Sequence, residues 1–175
     1  MTKDQIKQLV IDYAYGYGIE PAVAVEQIQR ESNFNPNAIG SSGERGLAQF
    51  MPGTWERFSD RPFDDAFDID WNLTAWGNYM QYLLNLLNWD YSKALTGYNG
   101  GEGHILNPDR YGAPSSAAQR YAREILTKAQ TSGEIYATDD GQALPPLGPG
   151  DQSSNFLTYL LIGTALIVGL IVLRD

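Results

Sequence analysis

The chain is expected to fold as a mostly α-helical domain followed by a single C-terminal membrane span. Three observations predict this. Apolar residues recur at helical spacing through the first 130 residues, and no stretch alternates apolar and polar residues for long enough to make a strand. Residues 156–173 carry no charge at all. At about 1.5 Å per residue that run crosses most of a hydrocarbon layer roughly 30 Å thick.

The elements follow in order. Ile6, Leu9, Val10 and Tyr13 form one apolar stripe and predict a first helix. Pro21, after Glu20, suits the first position of a second helix. There Ala24, Ile28 and Glu31 fall at i, i+4 and i+7 on one face. A loop rich in Asn, Ser and Gly comes next, with room for a small β element. A short helix is expected near 46–51 and another over 54–58. Trp76, Tyr79, Met80, Leu83, Leu84 and Leu87 predict the longest helix, and 91–98 and 117–129 supply two more. Residues 131–154 read as a linker, punctuated by Pro145, Pro146, Gly148, Pro149 and Gly150. The expected organisation is a domain over 1–130, this linker, and an anchor over 155–175. Tyr159 and Arg174 would sit at the two membrane interfaces, and the positive-inside rule puts Arg174 on the inner side.

Composition excludes several kinds of function. The 175 residues carry a net charge of −9 with no basic run, which disfavours a nucleic-acid surface. With no cysteine there is no disulfide, zinc-thiolate site or thiol nucleophile, and the lone His104 has no partner for zinc. Asp68, Asp70 and Asn72 begin like a calcium loop, but Leu73 and Tyr79 occupy the positions that need Gly and Glu. Gly100, Gly101 and Gly103 follow a helix rather than a strand and lack the Lys-Ser/Thr of a phosphate loop. No metal and no cofactor are expected. The charges at Lys3, Asp4, Lys7 and Asp12 interrupt any signal-peptide core.

Glu31 is the candidate for chemistry. It extends an apolar stripe at the C-terminal end of a helix, where the helix dipole and loss of solvent both raise a carboxyl pKa. Pairing with Arg30 or Arg45 would make it an ordinary surface glutamate. Glycoside cleavage usually employs two carboxyl groups. The cluster of Asp60, Asp64, Asp65, Asp68 and Asp70 reads instead as a solvated loop with a helix N-cap near Asp70. One activated carboxyl is sufficient where the substrate supplies its own nucleophile.

The segment "ESNFNPNAIGSSGERGLAQFMPGTW" resembles the active-site motif of the bacterial lytic transglycosylases, which have a goose-type-lysozyme-like fold. The matching residues are Glu31-Ser32, Asn35-Pro36-x-Ala38 and Gly46-Leu47-x-Gln49-x-Met51-Pro52-x-Thr54. Asn72-Leu73, Ala94-Leu95-x-x-Tyr98-Asn99-x-Gly101 and Tyr121 are similar to later motifs, so the resemblance covers roughly residues 5–129. Ala117-Ala118 stand where the family commonly has Glu-Thr, and Gly97 and Gly100 stand where it has alanines.

The resemblance implies peptidoglycan strands as substrate, cut between N-acetylmuramic acid and N-acetylglucosamine with formation of a 1,6-anhydro ring. Glu31 would be the catalytic acid and base, and Ser32 would position it. Gln49, Met51, Tyr98, Asn99 and Tyr121 would line the sugar groove, while Trp55 and Trp71 are expected in the core. The expected setting is the wall-facing side of a membrane, in a phage particle alongside virion vertex or ejection proteins. A cellular secretion or conjugation enzyme, a true lysozyme-like hydrolase and an inactive wall-binding module are the alternatives.

Overall fold

In the computed structural model, residues 1–132 are described. Eight α-helices and one 3-10 turn make up the regular structure of that region: α1 (Lys3–Gly16), α2 (Pro21–Ser32), α3 (Pro52–Phe58), the 3-10 turn (Phe63–Phe67), α4 (Ile69–Leu86), α5 (Tyr91–Gly100), α6 (Gly103–Leu106), α7 (Pro108–Tyr111) and α8 (Ser116–Thr131). The expected anchor over 155–175 and all but the first two residues of the expected linker lie outside the described residues. Among the described residues, no helix is long and apolar enough to cross a membrane.

The helix ends have local causes. Thr2 caps α1 in a reciprocal box with Gln5. Pro21 opens α2, whose last turn gives way to Asn33 and Phe34, both left-handed at φ 53° and 59°. Asp68, not Asp70, caps α4 by accepting from the Trp71 amide at 3.0 Å. Asp70 instead accepts from the Tyr13 hydroxyl at 3.2 Å, tying α4 to α1. Asp90 and Ser115 cap α5 and α8, accepting from the amides of Lys93 and Ala118 at 3.0 and 3.1 Å.

The eighteen residues of α4 run through the core, burying Leu73, Ala75, Trp76, Met80, Leu83 and Leu84. Helix α2 packs on α1 and α8, and α5 packs on α8 and α4. Gly100 on α5 comes so close to α8 that a Cβ there would lie 2.9 Å from the Ala118 Cβ.

Two further expectations change. Residues 46–51 do not form a helix: Gly46 and Gln49 are left-handed at φ 77° and 51°, which interrupts any right-handed run. Arg45 instead forms isolated antiparallel bridges with Ile39 and Phe50, the small β element of this loop. Trp55 is fully buried, its indole N–H donating to the Arg61 carbonyl at 2.7 Å. Trp71 is not in the core. It is 40% exposed, lies under the Arg61 guanidinium at 4.8 Å, and lines a cleft of about 640 Å³ with Arg57, Phe58, Asp60 and Asn78. Its place one turn into α4, on the face opposite Leu73, leaves it outside. The helices α6 and α7 have no apolar stripe and are too short to show a period in the sequence.

Candidate active site

Glu31 lies in the last turn of α2, half-buried. The Tyr121 hydroxyl, on α8, donates to its carboxylate Oε1. Burial pushes the Glu31 pKa up from 4.5 to about 7, against the Tyr121 hydrogen bond and the Arg30 charge, which both pull it down; the Glu44 carboxylate pushes it further up. Neither candidate arginine pairs with it. Arg30 bridges to Glu124 at 2.6 Å, with its guanidinium 5.3 Å over the Tyr121 ring. Arg45 bridges to Asp64 at 2.6 Å and lies 4.3 Å over the Phe63 ring. Glu31 is thus an acid kept short of water and held by the Tyr121 hydroxyl.

Ser32, expected to position Glu31, spends its hydroxyl on its own helix, donating to the Ile28 carbonyl at 3.3 Å. A serine in a last helical turn satisfies a carbonyl four residues back more readily than it reaches a neighbouring side chain. Tyr121 holds Glu31 instead, and with 3% exposure it also belongs to the core.

The loop after α2 is clamped from two helices. Ala48 gives its carbonyl to the Tyr98 hydroxyl at 2.8 Å and its N–H to Asn72 Oδ1 at 2.9 Å. The other end of the Asn72 amide donates to the Ala66 carbonyl at 2.7 Å, so this buried side chain joins the loop, the 3-10 turn and α4. Gly46 allows the close approach: a Cβ there would stand 2.0 Å from the Ala66 carbonyl oxygen and 2.3 Å from Asn72 Nδ2. Gln49 spends its amide hydrogens on the Gly46 and Ala38 carbonyls at 2.8 and 3.3 Å, bracing the loop from within. Met51, at the start of α3, is 42% exposed, and Asn99 is exposed beside Tyr98. Tyr98 also feels the Glu31 charge, which with burial raises its pKa.

Four of the five aspartates considered as second carboxylates have structural partners: Asp64 with Arg45, Asp65 with Arg61 at 3.0 Å, Asp68 at the α4 cap and Asp70 with Tyr13; Asp60 lines the cleft beside Trp71. The carboxylate whose charge reaches Glu31 is Glu44, in the Gly-rich loop, where its Oε2 accepts from the Ser42 amide at 2.9 Å. Sequence reasoning missed it, and nothing in its spacing marks it. His104 faces the Gly112 carbonyl through Nδ1 at 3.1 Å, so it orders the α7 end rather than any nucleophile. Among the described residues no cluster of His, Asp and Glu is arranged to hold a metal.

The Transglycosylase SLT domain family matches residues 8–120. The chain is 30% identical over 137 residues to membrane-bound lytic murein transglycosylase C of Photorhabdus laumondii, covering 70% of this chain and 36% of that protein. It is 27% identical over 132 residues to peptidoglycan transglycosylase gp16 of Escherichia phage T7, covering 66% of this chain and 10% of that protein. The chain thus spans well under half the length of these relatives. The structure of the 70 kDa soluble lytic transglycosylase from Escherichia coli matches 72% of this chain and 23% of that one, with TM-score 0.59 at 22% identity, and shows the shared fold.

Proposed function

Because this chain belongs to the Transglycosylase SLT domain family, we propose that it is a peptidoglycan lytic transglycosylase in which Glu31 is both acid and base. The observation that carries the reading is a lone half-buried carboxyl held near pKa 7 by burial and aimed by the Tyr121 hydroxyl. A group with that pKa is protonated often enough near neutrality to give a proton, and basic enough to take one back.

In the first step Glu31 protonates the glycosidic oxygen between N-acetylmuramic acid and N-acetylglucosamine. The bond breaks, and the muramyl acetamido group supports the positive anomeric carbon. The ionised Glu31 then takes the proton of the C6 hydroxyl, whose oxygen closes the 1,6-anhydro ring. The proton count balances, and no water is consumed. Gln49, Met51, Tyr98 and Asn99 line the sugar site in this reading, with Ser32 supporting the turn beneath it.

The setting is proposed from sequence. Residues 1–130 form the catalytic domain, 131–154 tether it, and 155–175 anchor it with the domain facing the wall. The likeness to the phage T7 enzyme favours a virion protein that opens the wall locally for genome entry.

One observation favours a second reading. The Glu44 charge reaches Glu31, and a second carboxylate is what a hydrolase uses to activate water. Mass spectrometry of a digest of purified peptidoglycan separates the two. The transglycosylase releases 1,6-anhydro muropeptides, lighter by one water than hydrolytic products. Glu31→Gln is expected to lower the rate by about 10²–10⁴. Hydrolytic products would replace the first reading with the second, and full activity in Glu31→Gln would end both.

A further inference from the structure

Of the four tryptophans, Trp71 alone is exposed. Trp71, Thr74 and Asn78 stand at i, i+3 and i+7 on one face of α4 and form one wall of the cleft of about 640 Å³. The end of α3 and the residues just after it, up to Asp60, form the other wall. That volume falls within the roughly 300–1,000 Å³ of pockets that take small ligands. Asn78 Nδ2 donates to the Phe58 carbonyl at 3.1 Å, which fixes the amide and leaves Oδ1 as an acceptor. Ser59 Oγ accepts from the Arg61 amide at 3.2 Å and keeps its own proton to donate. Both nearby arginines are committed elsewhere, Arg57 to Glu102 at 2.8 Å and Arg61 to Asp65 at 3.0 Å. Neither of those bridges neutralises the exposed Asp60 carboxylate.

We propose that this cleft is a second sugar-binding site, which holds one pyranose ring of a glycan strand apart from the bond that Glu31 cuts. A pyranose ring has C–H faces and a rim of hydroxyls. The faces pack on an aromatic ring, and the rim needs donors and acceptors set close together. The cleft supplies both kinds of surface: the Trp71 indole, acceptors at Asn78 Oδ1 and Asp60, and a donor at Ser59. A phosphate ligand suits it poorly, because Asp60 repels an anion and both arginines already hold carboxylates. A bare acyl chain would strand the polar rim unpaired. A row of packed rings separates the cleft from the catalytic loop. Phe58 stacks on Tyr79 with centroids 4.5 Å apart, Tyr79 lies 4.9 Å from Tyr98, and the Tyr98 hydroxyl holds the Ala48 carbonyl. A second hold on the strand raises the local concentration of sugar at Glu31 without touching the reacting bond, so it acts on binding and not on chemistry.

The site rests on the glycan substrate proposed above, yet it can be read without any cleavage. The probe is a soluble β-1,4-linked N-acetylglucosamine hexamer, titrated by NMR into the isotope-labelled full chain carrying Glu31→Gln. The Trp71 indole N–H and the Asn78 side-chain amide are expected to shift and to saturate together. Trp71→Ala and Asp60→Ala, both at exposed positions, are each expected to weaken that binding about 2–10-fold. In an otherwise unchanged enzyme, Trp71→Ala is expected to raise KM on long strands by a similar factor and to leave kcat as it was. Shifts confined to the loop around Gln49 would overturn the second site and leave the proposed function standing. A Trp71 signal that responds to phosphatidylglycerol vesicles and not to the hexamer would overturn it in favour of a lipid surface. A fall in kcat at unchanged KM would also overturn it. Hexamer bound at Trp71 by a chain that cuts no peptidoglycan would keep the site and refute the enzyme.

Discussion

Glu31 is unusual because its environment resists its charge. Below pH 4.5 it is protonated in the folded and the unfolded chain alike, and the folded state gains all the benefit of its higher proton affinity. As pH rises from 4.5 through about 7, the unfolded chain ionises freely while the folded one resists, and that contribution is lost. The size is on the order of 3 kcal/mol, since every tenfold gain in proton affinity is worth about 1.4 kcal/mol. Glu31→Gln keeps the shape and removes the charge. It is therefore expected to raise Tm by several degrees at about pH 9 and to change it little at about pH 4. Differential scanning calorimetry at the two pH values checks this. An equal effect at both would mean that burial does not oppose ionisation. The carboxylate's chemical promise was visible in the sequence from the stripe Ala24, Ile28, Glu31; its actual partner was not, because Ser32 is adjacent in the chain and Tyr121 is 90 residues away.

The helices were legible because their cause is local. The stripes that marked α1, α2 and α4 lie within single elements, and α4 appears where Trp76 to Leu84 placed it. The loop between α2 and α3 was legible in composition and illegible in shape. Its form depends on Gln49 in a left-handed conformation and on clamps from Asn72 and Tyr98, which stand 24 and 50 residues from Ala48. The apolar run from Gly46 to Met51 suggested a helix when only its composition was read. Gly46 is the residue that decides otherwise, and Gly46→Ala tests this. A Cβ has no room beside the Ala66 carbonyl, and the backbone there is left-handed. The substitution is expected to cost about 2–4 kcal/mol, from conformational strain and overpacking together. Urea denaturation reads the loss; a change under about 0.5 kcal/mol, the range of an ordinary surface substitution, would show that the loop is free to move away.

At the scale of the whole domain, the site is assembled from both ends of the described chain. Helix α2 brings Glu31, α8 brings Tyr121, α4 brings Asn72, and α5 brings Tyr98. No local pattern announces such a gathering. Tyr121 entered the candidate set through the resemblance to the family, whereas Glu44 became visible only when the chain was packed. The absence of cysteine and of a partner for His104 left the carboxyl groups as candidates, but could not say which one is kept dry.

Following the Glu31 carboxyl by NMR while measuring the initial rate of wall cleavage over the same pH range tests that dryness most directly. A single transition near pH 7 is expected in both signals, with the rate falling as Glu31 loses its proton. A carboxyl that titrates near 4.5, or a rate indifferent to its titration, would contradict the assignment of Glu31 as the proton carrier.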